Sequence, residues 1–266
     1  MSNVPVEYPY PLQGKLALIT GCTGGIGQAT ARAFARSGCS IALHHSSAKS
    51  KAKADALIAG LVKLAPGVRA AAFEADLSTY ENARKLCDQV VEVLGHPDIL
   101  FSNHGVTGPK IGPQGDMQEV SAEAFEEIWR TNAGTGYVLA QKCLPYMQEK
   151  KWGRIIFTSR RVLPGTGGVI GPQYASSKSA LHGLIHWLSL RYCKEGILTN
   201  GVAPALIEED TEMMANPTDA VRSLIPIGRL GKPEEIASIV LMLVTNGYMT
   251  NKILVADGGW TNGGGF

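Results

Sequence analysis

Charge imbalance is nearly absent from this chain. It has 25 lysines and arginines against 23 aspartates and glutamates, a formal net of +2 over 266 residues. No dense basic stripe stands out, so the field that would draw a nucleic acid or an anionic membrane is missing. No apolar run reaches the roughly 18 residues that a bilayer-crossing helix needs. The five cysteines, Cys22, Cys39, Cys87, Cys143 and Cys193, are widely spaced and contain no Cys-x-x-Cys pair. An odd, scattered set argues for reduced thiols in a cytoplasmic protein rather than a disulfide framework. Met1 to Gly14 lacks the cationic start and apolar run of a secretory signal, so residues 1–13 read as a flexible leader. A Gly-x-x-x-x-Gly-Lys-Ser/Thr run is also missing, which argues against a nucleoside triphosphatase. Without internal repeats or a long linker, residues 14–266 read as one domain, long enough to bury a single large core.

Short apolar segments alternate with longer stretches of helical periodicity. Strands are expected at Lys15–Thr20, Ser40–His44, Arg69–Glu74, Asp98–Ser102, Arg154–Thr158, Leu198–Val202 and Ile253–Val255. Helices are expected over Gly25–Ser37, Ser50–Leu64, Thr79–Leu94, Ala122–Glu149, Gln173–Glu195 and Pro233–Asn246. Strands that each feed a crossover make parallel neighbours, and right-handed crossovers leave a three-layer α/β arrangement: a doubly wound Rossmann fold on a parallel seven-stranded sheet. The segment Ile207–Ile225, acidic and broken by Pro217, reads either as a flap over a site or as a surface excursion. The glycine-rich tail Gly258–Phe266 is flexible unless Trp260 or Phe266 docks.

Three stretches carry chemistry. Thr20-Gly21-Cys22-Thr23-Gly24-Gly25-Ile26-Gly27 follows the first strand and opens the first helix, where glycines let the backbone approach a pyrophosphate and the helix start stabilises its charge. A carboxylate ending the second strand would hold an adenosine ribose and repel a 2′-phosphate. Here that strand ends in His44-His45-Ser46-Ser47, with Lys49 and Lys51 beyond, so His45, Ser46 and Ser47 point to NADP(H). Tyr174-Ala175-Ser176-Ser177-Lys178 sets a phenol and an ammonium four residues apart on one helix face, within reach of one ligand.

In these motifs the chain resembles the short-chain dehydrogenase/reductases, over Gly14 to Gly259, with a general look nearest the 3-oxoacyl carrier-protein reductases. The glycine turn matches the family's Thr-Gly-x-x-x-Gly-x-Gly, which implies cofactor contacts at Gly21, Thr23, Gly25, Ile26 and Gly27. Asp76-Leu77 looks like the adenine-contacting pair, and Asn103-His104-Gly105 stands where the family has Asn-Ala-Gly. Val202 to Ile207 corresponds to the segment after the sixth strand, bringing Pro204, Ile207 and Thr211 toward the nicotinamide. Asn132 matches the family's helix asparagine, and Tyr174 and Lys178 fall on its Tyr-x-x-x-Lys.

The resemblance implies hydride transfer between nicotinamide and a carbonyl, imine or alcohol carbon, with Tyr174 moving the proton. A phenol's ordinary pKa near 10 needs the Lys178 charge to favour its ionised form. Asn132 would seat a water linking Lys178 to solvent. The family's serine donor sits about thirteen residues before the tyrosine, but this chain reads Thr158-Ser159-Arg160-Arg161. Three readings stay open: Ser159 swings into the role, Arg160 replaces it, or the site is impaired. Ser159 is favoured, and Ser159→Ala is expected to remove most of kcat. Arg160 and Arg161 are also candidates for gripping a substrate carboxylate or phosphate. The alternatives are an NAD-linked alcohol dehydrogenase and a cofactor-binding protein without redox turnover.

His182 and His186 have helical i, i+4 spacing but no following Glu and no third ligand, so no metal site is expected. They share the Tyr174 helix with Trp187, Leu188 and Tyr192, an apolar stripe suited to a second copy. A homo-oligomer, a dimer or a homotetramer as in the family, is expected.

Overall fold

Alternation within the strands assigns the layers. In β1 (Leu16–Ile19), Leu16 and Leu18 join one core cluster while Ala17 and Ile19 join the other. The same period of two recurs in β4 (Ile99–Ser102), where Leu100 faces one way and Ile99 and Phe101 the other. In β5 (Gly153–Thr158), Ile155 and Phe157 oppose Ile156. Strands apolar on both faces must be covered on both, which is the condition of a three-layer fold.

The computed structural model describes residues 12–112, 114–160, 170–208, 223 and 225–260. Its other strands are β2 (Ser40–His45), β3 (Ala70–Glu74), β6 (Ile197–Pro204) and β7 (Ile253–Ala256). All pairings are parallel, in the order β3-β2-β1-β4-β5-β6-β7, so the chain reverses its winding between β1 and β4. Ligands of such sheets bind beyond the carboxyl ends of the strands at that reversal. Helices α1 (Gly25–Arg36), α2 (Ala48–Leu64) and α7 (Pro233–Thr245) cover one face. Helices α3 (Tyr80–Leu94), α5 (Thr135–Lys150) and α6 (Pro172–Tyr192) cover the other.

The seven parallel strands follow the sequence expectation, with ends shifted by one or two residues. One helix does not. The single helix expected over Ala122–Glu149 is α4 (Ala122–Trp129), a π-helical turn over Arg130–Gly134, and then α5. Gly134 explains part of the break, since a Cβ there would lie 2.6 Å from the Tyr80 hydroxyl. Of the expected leader, residues 1–11 lie outside the described residues. Leu12 is 2% exposed and its N–H donates to Ser37 O at 2.8 Å, so the packed chain begins there.

At the amino edge of the sheet, Arg154 is buried with no carboxylate partner among the described residues. Its guanidinium donates to the carbonyls of Val244 at the end of α7 (3.0 Å), Gly153 (2.8 Å) and Gly196 (3.2 Å), and lies 4.4 Å from the Trp152 ring. Burial lowers its pKa to about 10. Lys15 covers the same ring at 4.0 Å and pairs with Asp98, which also accepts Leu16 N–H at 3.0 Å. Replacing Arg154 by Met would strand three carbonyls. A loss of about 2–4 kcal/mol is expected in urea unfolding.

Candidate active site

The carboxyl ends of β1, β4 and β5 are tied together before any ligand arrives. Asn103, just past β4, donates through Nδ2 to Thr20 O at 3.2 Å and accepts from Thr158 Oγ1 at 2.9 Å. Thr20 Oγ1 accepts the Asn103 N–H (2.9 Å) and the His104 N–H (3.2 Å). Its other partner is His104 Nδ1 at 2.8 Å, while His104 Nε2 faces Thr131 O (3.1 Å) and Thr135 Oγ1 (2.9 Å). A carbonyl can only accept, so Nε2 carries the proton and Nδ1 receives one from Thr20. The His104 imidazole therefore points into the core.

His44 repeats the device one strand away. Its Nε2–H donates to Ala75 O at 2.8 Å, and its Nδ1 accepts the N–H of Gly21 at 3.2 Å. Gly21 sits at φ +63° in the turn before α1. Gly27 completes a close approach: a Cβ there would lie 2.4 Å from Gly21 O. With α1 starting at Gly25 and no side chain capping it, its first N–H groups are open toward this cradle. Thr23 is half-buried and Ile26 is packed beneath.

Along the other strand ends, Ser46 is exposed, Ser47 is half-buried and His45 is buried, with Nδ1 3.0 Å from Ser47 O. Asp76 is exposed and accepts Ser78 N–H at 2.9 Å, and Leu77 is buried beside it. Pro204 ends β6, and Ile207 bridges to Gly231. Thr211 and Arg161 lie outside the described residues.

Lys178 reaches these strand ends from α6. It is 3% exposed, and its Nζ donates to Thr158 O at 2.9 Å and His104 O at 3.4 Å. Burial lowers its pKa to about 8, which still leaves it mostly charged at pH 7. Gly105 makes room for it, since a Cβ there would lie 3.0 Å from Nζ and 3.1 Å from Asn132 Oδ1. Asn132, inside the π-helical turn, accepts Val106 N–H (2.8 Å) and donates to Val106 O (2.9 Å) and Ser177 Oγ (3.0 Å). Its side chain thus fastens the loop after β4 to α6.

Tyr174 lies one turn before Lys178 on the same helix, with the Arg160 guanidinium carbon 5.8 Å from the centre of its ring. Ser159 is differently engaged. Its hydroxyl donates to Lys178 O at 3.0 Å, and His182 Nε2 lies 2.8 Å from it and 3.1 Å from Arg160 O. The proton on Nε2 serves both oxygens, and the serine is drawn into α6. His186 instead contacts Asn251 Oδ1 at 3.2 Å, so the two histidines serve different partners.

A family model described as enoyl-(acyl carrier protein) reductase matches residues 21–261. The chain belongs to the short-chain dehydrogenase/reductase family. Among its curated relatives in that family, the 3-oxoacyl-(acyl-carrier-protein) reductase FabG of Aquifex aeolicus is 32% identical over 254 residues, 93% of this chain and 98% of its own. The L-rhamnose 1-dehydrogenase (NADP(+)) of Thermoplasma acidophilum is also 32% identical, over 93% of this chain and 96% of its own. Among solved structures, a candidate NAD(P)-dependent gluconate 5-dehydrogenase from Beutenbergia cavernae, with NADP bound at low occupancy, superposes with TM-score 0.82 at 27% identity. That match covers 96% of this chain and 99% of the other. The chain is thus an oxidoreductase of a short-chain dehydrogenase/reductase type, a family that works with nicotinamide cofactors.

Sequence reasoning missed three residues of this site. Gln173, fully buried, donates through Nε2 to Thr107 O (3.1 Å) and Pro109 O (2.6 Å), clamping the loop after β4 to the start of α6. Its place beside Tyr174 was the only signal. Ser177 and His182 follow from the helical period of Tyr174 and Lys178 only once β5 is known to lie alongside.

Both core histidines are held neutral. Burial first, and for His104 the neighbouring His44 and Lys178, lower the pKa of His44 to about 4 and of His104 to about 3. Unfolded chains protonate these rings near 6.5, so the unfolded state takes up protons first as pH falls. Stability is expected to be full above pH 6.5 and to fall by a few kcal/mol toward pH 4.5, at most about 1.4 kcal/mol per pH unit for each ring. Urea unfolding at stepped pH reads this. His44→Gln, which can keep both hydrogen bonds, should flatten the slope, and an unchanged slope would count against the assignment.

Proposed function

We propose that this protein is an NADPH-dependent reductase of carbonyl or imine substrates. The carrying observation is the placement of Tyr174 one helical turn from a buried Lys178 that has no counter-ion among the described residues, at the carboxyl ends of β4 and β5. When bound, NADPH supplies the hydride. Gly21, Thr23, Gly25, Ile26 and Gly27 would hold its pyrophosphate, in a cradle that a Cβ at Gly27 would fill. Asp76 and Leu77 would take the adenine, while Asn103, His104 and Gly105 would line the ribose with backbone. Pro204, Ile207 and Thr211 would flank the nicotinamide.

Tyr174 gives its phenolic proton to the substrate oxygen. Lys178 holds a positive charge one helical turn away, which favours the phenolate left behind. Asn132 keeps the loop after β4 against α6, so that Lys178 stays where its proton can be replenished. Ser159, with its hydroxyl on Lys178 O and His182, acts here as a positioning residue.

Three features support NADPH over NADH. No acid ends β2, Ser46 and Lys49 are exposed beside His45, and Ser47 begins α2 without spending its hydroxyl on capping it. A 2′-phosphate would meet hydroxyls, a cation and a helix start. Exposed Tyr137 on α5 and Trp187 and Leu190 on α6 support a homo-oligomer built on those helices. A second reading, cofactor binding without turnover, is favoured by one observation, the engagement of the Ser159 hydroxyl by Lys178 O and His182.

Tyr174→Phe is expected to lower kcat for NADPH-dependent ketone reduction by about 10²–10⁴-fold while leaving NADPH affinity within about threefold. Ser159→Ala should lower the melting temperature and cost kcat far less. Titration with both cofactors should give NADPH binding at least about tenfold tighter than NADH, a difference of about 1.4 kcal/mol. Equal affinities, or a fully active Tyr174→Phe, would overturn the respective parts.

A further inference from the structure

We infer that Arg160 is a substrate contact and that the substrate carries a carboxylate one or two bonds from the reacting carbon, making it a small oxo acid. This rests on the reading of Tyr174 as proton donor and deepens it. The guanidinium carbon lies 5.8 Å from the Tyr174 ring centre, on a residue that is neither fully buried nor fully exposed. Its direction is imposed from the backbone: His182 Nε2 is 3.1 Å from Arg160 O and 2.8 Å from Ser159 Oγ, which pins the end of β5 to α6. Ser159 therefore leaves the side of the strand that faces Tyr174 to Arg160.

Charge decides the kind of ligand. Among the described residues, the ion pairs involve Lys15, Lys51, Arg84, Lys85, Arg130, Lys142, Lys150, Arg191 and Arg229, and none involves Arg160 or Lys178. Two cations thus stand near one phenol, neither paired with a carboxylate among the described residues. A planar guanidinium fork matches the two oxygens of a carboxylate, whereas a neutral ketone offers it one weaker acceptor and no charge. The short distance between guanidinium and ring limits the spacing of the ligand. An oxygen on the phenol and an anion on the fork must belong to the same small fragment.

The step balances without a further reactant. The carbonyl carbon gains a hydride, its oxygen gains the Tyr174 proton, and the carboxylate keeps its charge on Arg160, so an oxo acid becomes a hydroxy acid. Oxidation of that hydroxy acid is the reverse.

The test uses the full chain with NADPH, two oxo acids (2-oxobutanoate and 3-oxobutanoate) and their ethyl esters, together with malonate binding to the NADP⁺-loaded protein by calorimetry. For at least one acid, kcat/KM should exceed that of its ester by about tenfold or more. Arg160→Ala should lower kcat/KM for the acid by about 30- to 100-fold, mainly through KM, and change the ester by no more than about threefold. Arg160→Lys should fall between, and Arg160→Ser should shift preference toward the esters. Malonate binding should be present in the parent and lost in Arg160→Ala, with unchanged melting temperature showing that the variant folds.

Esters preferred by the parent, or malonate binding unaffected by Arg160→Ala, would overturn the proposal while leaving the reductase reading intact. Malonate bound through Arg160 with no turnover of any acid or ester would retain the anion contact and remove the reductase reading.

Discussion

A buried positive charge governs this end of the molecule. Among the described residues, Lys178 is met by two carbonyl oxygens and no carboxylate, one from the end of β5 and one from the loop after β4. Carbonyl dipoles offset part of the desolvation cost of an ammonium but do not neutralise it. The strand ends, the glycine at position 105 and the π-helical turn are all arranged around keeping that charge in place. The lowered pKa of Lys178 expresses the remaining cost, which any bound anion or phenolate would relieve.

The rest of the site is built as clamps on the same elements. Asn132 ties the loop after β4 to α6 through Val106 and Ser177, Gln173 does so through Thr107 and Pro109, and Ser159 with His182 ties β5 to α6. Each clamp uses a side chain whose hydrogen bonds are spent internally. Among the described residues, the groups placed toward a ligand include the Arg160 guanidinium, open N–H groups at the start of α1, and the polar end of β2. Precision thus comes from residues that do not touch the ligand.

The sequence made the sheet legible because apolar strands, helical periods and the glycine turn are local patterns, and right-handed crossovers convert them into one topology. Tyr174, Lys178 and Asn132 were legible by motif. Their surroundings were less so. His104 and His44 stood in the sequence at the cofactor's edge, yet hydrogen bonding turns both rings inward as struts. Ser159 was favoured for chemistry by its place at a strand end, and its hydroxyl contacts to Lys178 O and His182 depend on how α6 packs against β5, which no local pattern shows. Period-two alternation fixes which face a residue takes only while the strand lasts, and Ser159 lies just past the end of β5. The π-helical turn escaped for a similar reason, since a single extra residue barely disturbs the apolar periodicity of α4 and α5.

Arg154 stands at the far edge of the sheet, holding the start of β5, the turn before β6 and one carbonyl near the end of α7 on one guanidinium. That bolt is remote from the ligand loops. A lineage or an engineer can therefore vary Arg160 and the exposed side chains of the loop after β4 while the bolt stays in place, provided the clamps of Asn132, Gln173 and Ser159 with His182 are kept. Substitutions that spare those clamps should explore new substrates cheaply. Substitutions around Arg154 should be filtered out for failing to fold before their catalytic effects are ever seen.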